Sequence, residues 1–275
     1  MDFIKTVKKT SISARIGMVM VFVTLLAALL APVVAPYEEA EVVADVWLPP
    51  GEGHILGTDQ LGRDLFTRML YGARNTIAIA LLITFLAFLV GVISGLLAAT
   101  VGGWVDMLLS RIVDVFMAFP ALILSLMVLS ILGSSIPVLI VVIALLDSTK
   151  VYRLTRALAM DIEVMEFVEV ARLSGEGIWW IITKEILPNA LPALIAEFGL
   201  RFCFIFLFIS ALSFLGLGIQ PPAADWGSMV RDNAGAISFD MMTPLWPAGA
   251  IAFLTIGINL IVDWFLHRSV QIRAH

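Results

Sequence analysis

Six apolar runs, at residues 16–34, 76–99, 113–132, 136–158, 191–217 and 246–266, dominate this chain. Each is close to the roughly 20 residues that a helix needs to cross ~30 Å of hydrocarbon. No water is available there to satisfy backbone N–H and C=O groups, so a run that crosses alone must bond to itself as a helix. The fold class follows: an all-α integral-membrane chain with six transmembrane helices. The fourth run is the least regular, because its uninterrupted apolar stretch stops at Leu146. Composition agrees, with 60% hydrophobic residues, 14% charged residues and a mean hydropathy of +1.01. Soluble domains carry about 25% charged residues.

Lys8, Lys9 and Arg15 precede the first run as they would in a secretory signal. Its apolar part exceeds the roughly 7–15 residues of a signal core and no small-x-small cleavage site follows, so a retained helix is expected. Basic residues mark cytoplasmic ends. With the N-terminus inside, that side takes Lys5, Lys8, Lys9, Arg15, Arg111, Lys150, Arg153, Arg156, Arg172, Lys184, Arg268 and Arg273. The other side takes only Arg63, Arg68, Arg74 and Arg231. The bias predicts a multi-pass membrane protein with both termini cytoplasmic. It divides the chain into a cytoplasmic N-terminus (1–15), one six-span unit (16–266) and a cytoplasmic tail (267–275). The net charge of −5 comes largely from residues 38–64 and gives no reason to expect nucleic acid. The single Cys203 and the scattered His54, His267 and His275 suggest neither a disulfide nor a metal site.

Two outer segments exceed turns. In 37–75, a short interfacial helix is expected over 63–71, with Leu65, Phe66, Met69 and Leu70 on one face and Arg63, Asp64 and Arg68 elsewhere. Gly72 would close it. The second, 219–245, opens with Pro221-Pro222 and carries Trp226, Asp232 and Asp240. Gly91 and Gly95 form a G-x-x-x-G pair that lets helices approach closely, read here as packing within the subunit.

The inner segment 159–188 is the longest feature on the cytoplasmic side. Ile162, Met165, Val168 and Leu173 alternate with Glu163, Glu166, Glu169 and Arg172 at spacings of an amphipathic helix. Gly175 can end that helix in a left-handed conformation. A second helix then carries Trp179 and Trp180 toward the membrane surface, and Pro188 marks the start of the fifth span. A chain that only had to turn round would use fewer residues. This one is built to touch something outside the membrane.

The wording of the segment resembles the EAA loop of ATP-binding-cassette importer permeases, through Glu169, Ala171, Gly175, Ile186, Leu187 and Pro188, with Val170 in place of the usual second-position alanine. Gly57-Thr58-Asp59-Gln60-Leu61-Gly62-Arg63-Asp64, preceded by His54, resembles the outer motif of the C-type permease of dipeptide, oligopeptide and nickel importers. So does Leu212-Ser213-Phe214-Leu215-Gly216-Leu217-Gly218, followed by Pro221-Pro222 and Trp226-Gly227. Gly102-Gly103-Trp104-Val105-Asp106, with Arg111, Asp114 and Ala118-Phe119-Pro120, fits the same family. The resemblance covers roughly residues 54–266.

It implies a type I importer permease of a bacterial inner (plasma) membrane that pairs with a homologous B-type permease, sits in membrane lipid and receives solute from an external solute-binding protein. Two cytoplasmic ATPase subunits would bind ATP and Mg, and no cofactor belongs to this chain. ATPase coupling would fall on Glu163, Glu166, Glu169, Ala171, Arg172 and Gly175. No G-x-x-x-x-G-K-[ST] phosphate loop occurs, so an enzyme is not expected. The family leaves peptide, glutathione, opine and nickel cargoes open.

Ionisable residues at membrane depth mark functional positions. Asp147, Lys150 and Arg153 share one face of the fourth run, and Glu197 and Arg201 are four apart on the fifth. They are read either as internal ion pairs or as the lining of a translocation pathway. The family commonly has Gly-Trp-Pro-Gly where this chain has Asp147-Ser148-Thr149-Lys150, and a Glu at the place of Ile209. An ion-coupled carrier using Glu197, Arg201 and Asp147 is the more remote reading. An intramembrane enzyme is disfavoured, since no run contains a histidine.

Overall fold

The structure is a computed structural model that describes residues 11–51 and 53–273, with side chains described through Phe265. Lys5, Lys8 and Lys9 and every side chain of the 267–275 tail, Arg268 and Arg273 included, therefore lie outside the described residues. The helices are α1 (Ile12–Val34), α2 (Leu65–Val101), α3 (Gly103–Met117), α4 (Ala121–Leu132), α5 (Ile136–Glu163), α6 (Glu166–Leu173), α7 (Ile178–Phe214), α8 (Trp226–Asp232) and α9 (Leu245–Arg273). Among the described residues, β structure is confined to three isolated bridges, all between residues 42 and 64.

Helix α2 is the axis of the bundle. At 37 residues it is ~55 Å long, more than a bilayer core requires. Asp64 caps it, accepting from the Thr67 N–H at 2.8 Å. The expected interfacial helix 63–71 is the first two turns of α2 rather than a separate element. Gly72 does not end it. An added Cβ there would lie 2.8 Å from Trp226 Cδ1, so the glycine makes room for an indole brought from more than 150 residues away. Leu65, Arg68 and Leu70 are consequently buried by protein.

The core joins Ile77, Ala80 and Ile83 of α2, Leu139 and Ile143 of α5, Ile205, Phe206 and Ile209 of α7, and Leu254 and Ile258 of α9. Gly91 and Gly95 face α5: added Cβ atoms would sit 2.6 Å from Val151 Cβ and 2.9 Å from Thr155 Cβ. The G-x-x-x-G pair thus packs inside the subunit.

The third apolar run is not one straight span. Helices α3 and α4 meet at 86° across Ala118-Phe119-Pro120. Proline lacks the N–H and biases its predecessor out of the helical region, which explains the break. Among the described residues, four helices, α1, α2, α7 and α9, are long and apolar enough to cross a membrane, and the bent pair brings the number to at most five. Helix α5 has the length but carries Asp147, Lys150 and Arg153 close together. Near its start, helix α7 contains a π-helical segment, Ile181–Ile186, that ends two residues before Pro188. Widening the turn there relieves the backbone around a residue that cannot donate.

Candidate functional site

Two places in the fold concentrate chemistry. The first is α6, at the end of the bundle where α2 finishes. Helix α5 stops at Glu163, and Val164 and Met165 break the chain before α6 starts. That break splits the predicted amphipathic stripe. Ile162 and Val168 are buried as expected, but Met165 and Leu173 are exposed. Val168 and Ala171 form the inward face, packed with Leu96, Ala99, Ala159, Ile181, Ile182 and Ile186. The helix ends in a Schellman arrangement: Gly175 N–H donates to Arg172 O at 3.0 Å and Glu176 N–H to Ala171 O at 3.2 Å. Gly175 has φ +86°, the left-handed conformation that its sequence position predicts.

Of the residues expected to couple, Ala171 is an anchor and Gly175 a stop. Arg172 and Glu163 are paired with each other, tying α6 to the end of α5. Glu166 and Glu169 lie on the exposed face. Beside them Phe167, Val170, Leu173 and Trp179 are also exposed, at 41, 61, 81 and 66%. Exposed apolar side chains beside carboxylates, on and next to a short helix, have the character of a contact face.

The second place lies where α5 and α7 cross. Lys150 Nζ donates to Asp147 Oδ1 at 2.9 Å, Arg201 Nε to Glu197 Oε1 at 2.5 Å, and Arg201 Nη1 is 3.7 Å from Asp147 Oδ1. Four of the five predicted pathway residues therefore form one alternating network. Arg201 also stacks over Phe204, 5.1 Å from its centroid. Arg153 does not join. It donates to Asp114 of α3 at 2.7 Å, at a half-exposed position. The sequence reading missed a third pair, Arg156 to Asp106, whose Nη2–Oδ2 bond is 2.6 Å. Asp106 and Arg156 stand 50 residues apart, and only the α3–α5 packing brings them together.

The remaining motifs are architectural. Asp59 accepts from the N–H groups of Leu61 and Arg63 at 2.8 and 3.0 Å and from Arg63 Nε at 2.7 Å. Arg68 Nε lies 3.3 Å from the same carboxylate. His54 Nδ1 is 3.0 Å from Asp64. The α1–α2 connection is stapled to the α7–α9 connection by Gln60 N–H to Asn233 Oδ1 at 3.0 Å and by Glu39, which holds Asn75 at 2.7 Å and the Ala224 N–H. Trp226 Nε1 donates to Met69 O at 3.0 Å, and Thr76 Oγ1 to Asp225 Oδ1 at 2.9 Å. Burial pushes the Asp225 carboxyl up, opposed by donation from the Ser228 N–H and from the Ser213 and Thr76 hydroxyls. These carboxylates are committed to partners within the subunit.

Residues 91–271 match the family described as "Binding-protein-dependent transport system inner membrane component". The dipeptide transport system permease protein DppC of Alkalihalophilus pseudofirmus is 35% identical, covering 94% of this chain and 85% of its own length. The di/tripeptide transport system permease protein DppC of Pseudomonas aeruginosa is 34% identical over 90% and 84%. The glutathione transport system permease protein GsiD of Pectobacterium atrosepticum is 33% identical over 78% and 71%. A solved amino acid ABC transporter chain, from a crystal structure with histidines, shares the fold at a TM-score of 0.50 and 20% identity, over 70% of this chain and 91% of that one. The chain belongs to the binding-protein-dependent transport system inner membrane components, the permease subunits of ABC importers.

Proposed function

We propose that this subunit forms half of the solute path of a peptide importer, with α6 as the part that its ATPase partner grips. The observation that carries the proposal is α6 itself: a helix anchored by Val168 and Ala171, stopped by Gly175, and presenting Glu166, Glu169 and exposed apolar side chains away from the bundle. In this reading the bent α3–α4 pair and α5 complete six spans. In the same reading α6 and both termini face the cytoplasm of a bacterial inner membrane, an orientation that the bias of basic residues supports. A homologous permease supplies the other half of the path, two ATPase subunits bind ATP and Mg, and an external binding protein delivers solute. Peptide cargo is supported by the dipeptide and di/tripeptide relatives, and by a charge network at the α5–α7 crossing suited to zwitterions.

The test is Glu169→Arg in the assembled transporter. The helix is held by residues on its other face, so the chain should fold and insert normally. Capture of the ATPase subunits and peptide uptake should fall by about tenfold, in the range expected for a charge reversed at an interface. Gly175→Val should reduce both as well, because a β-branched residue resists φ +86°. Unaltered capture and uptake by both variants would remove the coupling role from α6.

A further inference from the structure

Helices α2 and α7 leave an apolar groove of about 400 Å³ on the half of the bundle nearer α6. Phe85, Leu89 and Ile93 of α2 form one wall, and Leu187, Leu191 and Ile195 of α7 the other. Phe88 and Phe198, both half-buried, meet edge to face between the two helices, 5.1 Å between ring centroids. Phe85, Leu89, Ile93, Leu191 and Ile195 are exposed, far more apolar surface than a water-facing groove would carry. Leu187 and Phe198 stand ~16 Å apart along α7, the depth of one leaflet of a ~30 Å hydrocarbon layer.

The groove has a cationic end. Trp180, Lys184, Leu191 and Ile195 are all exposed and follow one another at helical spacings, so they run along one face of α7. Lys184 stands just before Leu187, where the apolar sequence of α7 gives way to Thr183, Lys184 and Glu185. It makes no hydrogen bond or ion pair among the described residues. Glu185 beside it is half-buried and not paired with it. A lysine there can lay its carbon stem along the apolar face and hold its ammonium in the headgroup layer. Trp180 adds the amphipathic ring that favours the same depth.

We infer that the α2–α7 groove holds an acyl chain of an anionic phospholipid from the leaflet on the α6 side, with the lipid phosphate on Lys184. The apolar walls take the chain, and the unpaired ammonium selects the headgroup. One lysine near the membrane surface favours an anionic lipid over a zwitterionic one by about fivefold. The site also bears on α6. Phe88, Val92 and Leu187 line the groove and pack against the cluster that contains Val168 and Ala171, the two anchors of that helix. A lipid chain seated there firms the helix that the ATPase partner grips. That consequence rests on the importer reading above, whereas the lipid site itself does not.

The experiment places the complete transporter in phosphatidylethanolamine vesicles with a trace of phosphatidylglycerol or phosphatidylethanolamine carrying a photoreactive diazirine in its acyl chain. After illumination, the labelled residues are mapped by mass spectrometry. The phosphatidylglycerol probe should label residues 85–93 and 187–198 about fivefold more than the other probe. Lys184→Gln, at an exposed and unpaired position, should fold normally and bring the two probes to parity, while Lys184→Arg keeps the preference. Leu191→Trp, which fills the groove, should lower labelling by both. Equal labelling by the two probes in wild type, or a preference that survives Lys184→Gln, overturns the inference. So does an unlabelled groove beside a labelled α1, which would mean that the homologous permease covers it. Labelling needs neither cargo nor ATP, so failure of the importer reading leaves this result untouched. Unlabelled phosphatidylglycerol should raise peptide uptake more in wild type and Lys184→Arg than in Lys184→Gln, and equal responses overturn the link to α6.

Discussion

A Gly91→Val subunit is expected to lose at least about 3 kcal/mol of stability, at the upper end for overpacking. The new Cβ would start 2.7 Å from the Ser148 carbonyl oxygen and 2.6 Å from Val151 Cβ. The carbonyl belongs to the α5 backbone and cannot step aside without moving the helix. Two further methyl groups would then have to fit in the same seam. Replacing a mid-helix glycine recovers only about 0.5–1 kcal/mol of backbone entropy, less than the clash costs. Thermal unfolding of the detergent-solubilised chain is the measurement, with Gly249→Ala as control. Gly249 has no atom within 4 Å of an added Cβ. It should be neutral or slightly stabilising. Equal losses at the two sites would mean that the α2–α5 approach is not what holds this pair together.

The same seam shows what a sequence discloses and what it withholds. Gly91 and Gly95 announce a close approach by their spacing, because only a missing side chain lets helices come so near. Gly72 looks similar on paper. It reads as a helix stop until Trp226, more than 150 residues away, is placed against it. Local chemistry was enough for Gly175, where the end of α6 depends on the glycine's own φ and on bonds to residues three and five back. It was enough for Glu197 and Arg201, four apart on one helix. It failed for Arg153, whose neighbours in sequence suggested Asp147 while packing supplied Asp114. It failed again for the stripe through Ile162, Met165, Val168 and Leu173. A helical period assumes an unbroken helix, and Val164 and Met165 break this one. The apolar runs gave the helices. The bend at Pro120 was visible only as a proline inside a motif, with nothing local to set its 86°.

Arg201→Ala should produce the largest effect within the charge network, larger than Lys150→Ala. Arg201 is 17% exposed and touches both carboxylates, while Lys150 is 40% exposed and holds one. Removing Arg201 leaves Glu197 without its cation and Asp147 with Lys150 alone. Breaking a buried pair costs about 3–5 kcal/mol, and partial exposure of these side chains brings the expected loss to roughly 2–4 kcal/mol. Lys150→Ala, at a more solvated site, should cost about 1 kcal/mol or less. The double change Arg201→Ala with Glu197→Ala discriminates between causes. If the loss in Arg201→Ala comes from a stranded carboxylate, removing Glu197 as well should restore most of the stability, a coupling of about 1–3 kcal/mol in a double-mutant cycle. Transport should not recover in parallel if the network contacts solute. Additive losses would show that Arg201 stabilises the subunit through its packing over Phe204 and not through charge.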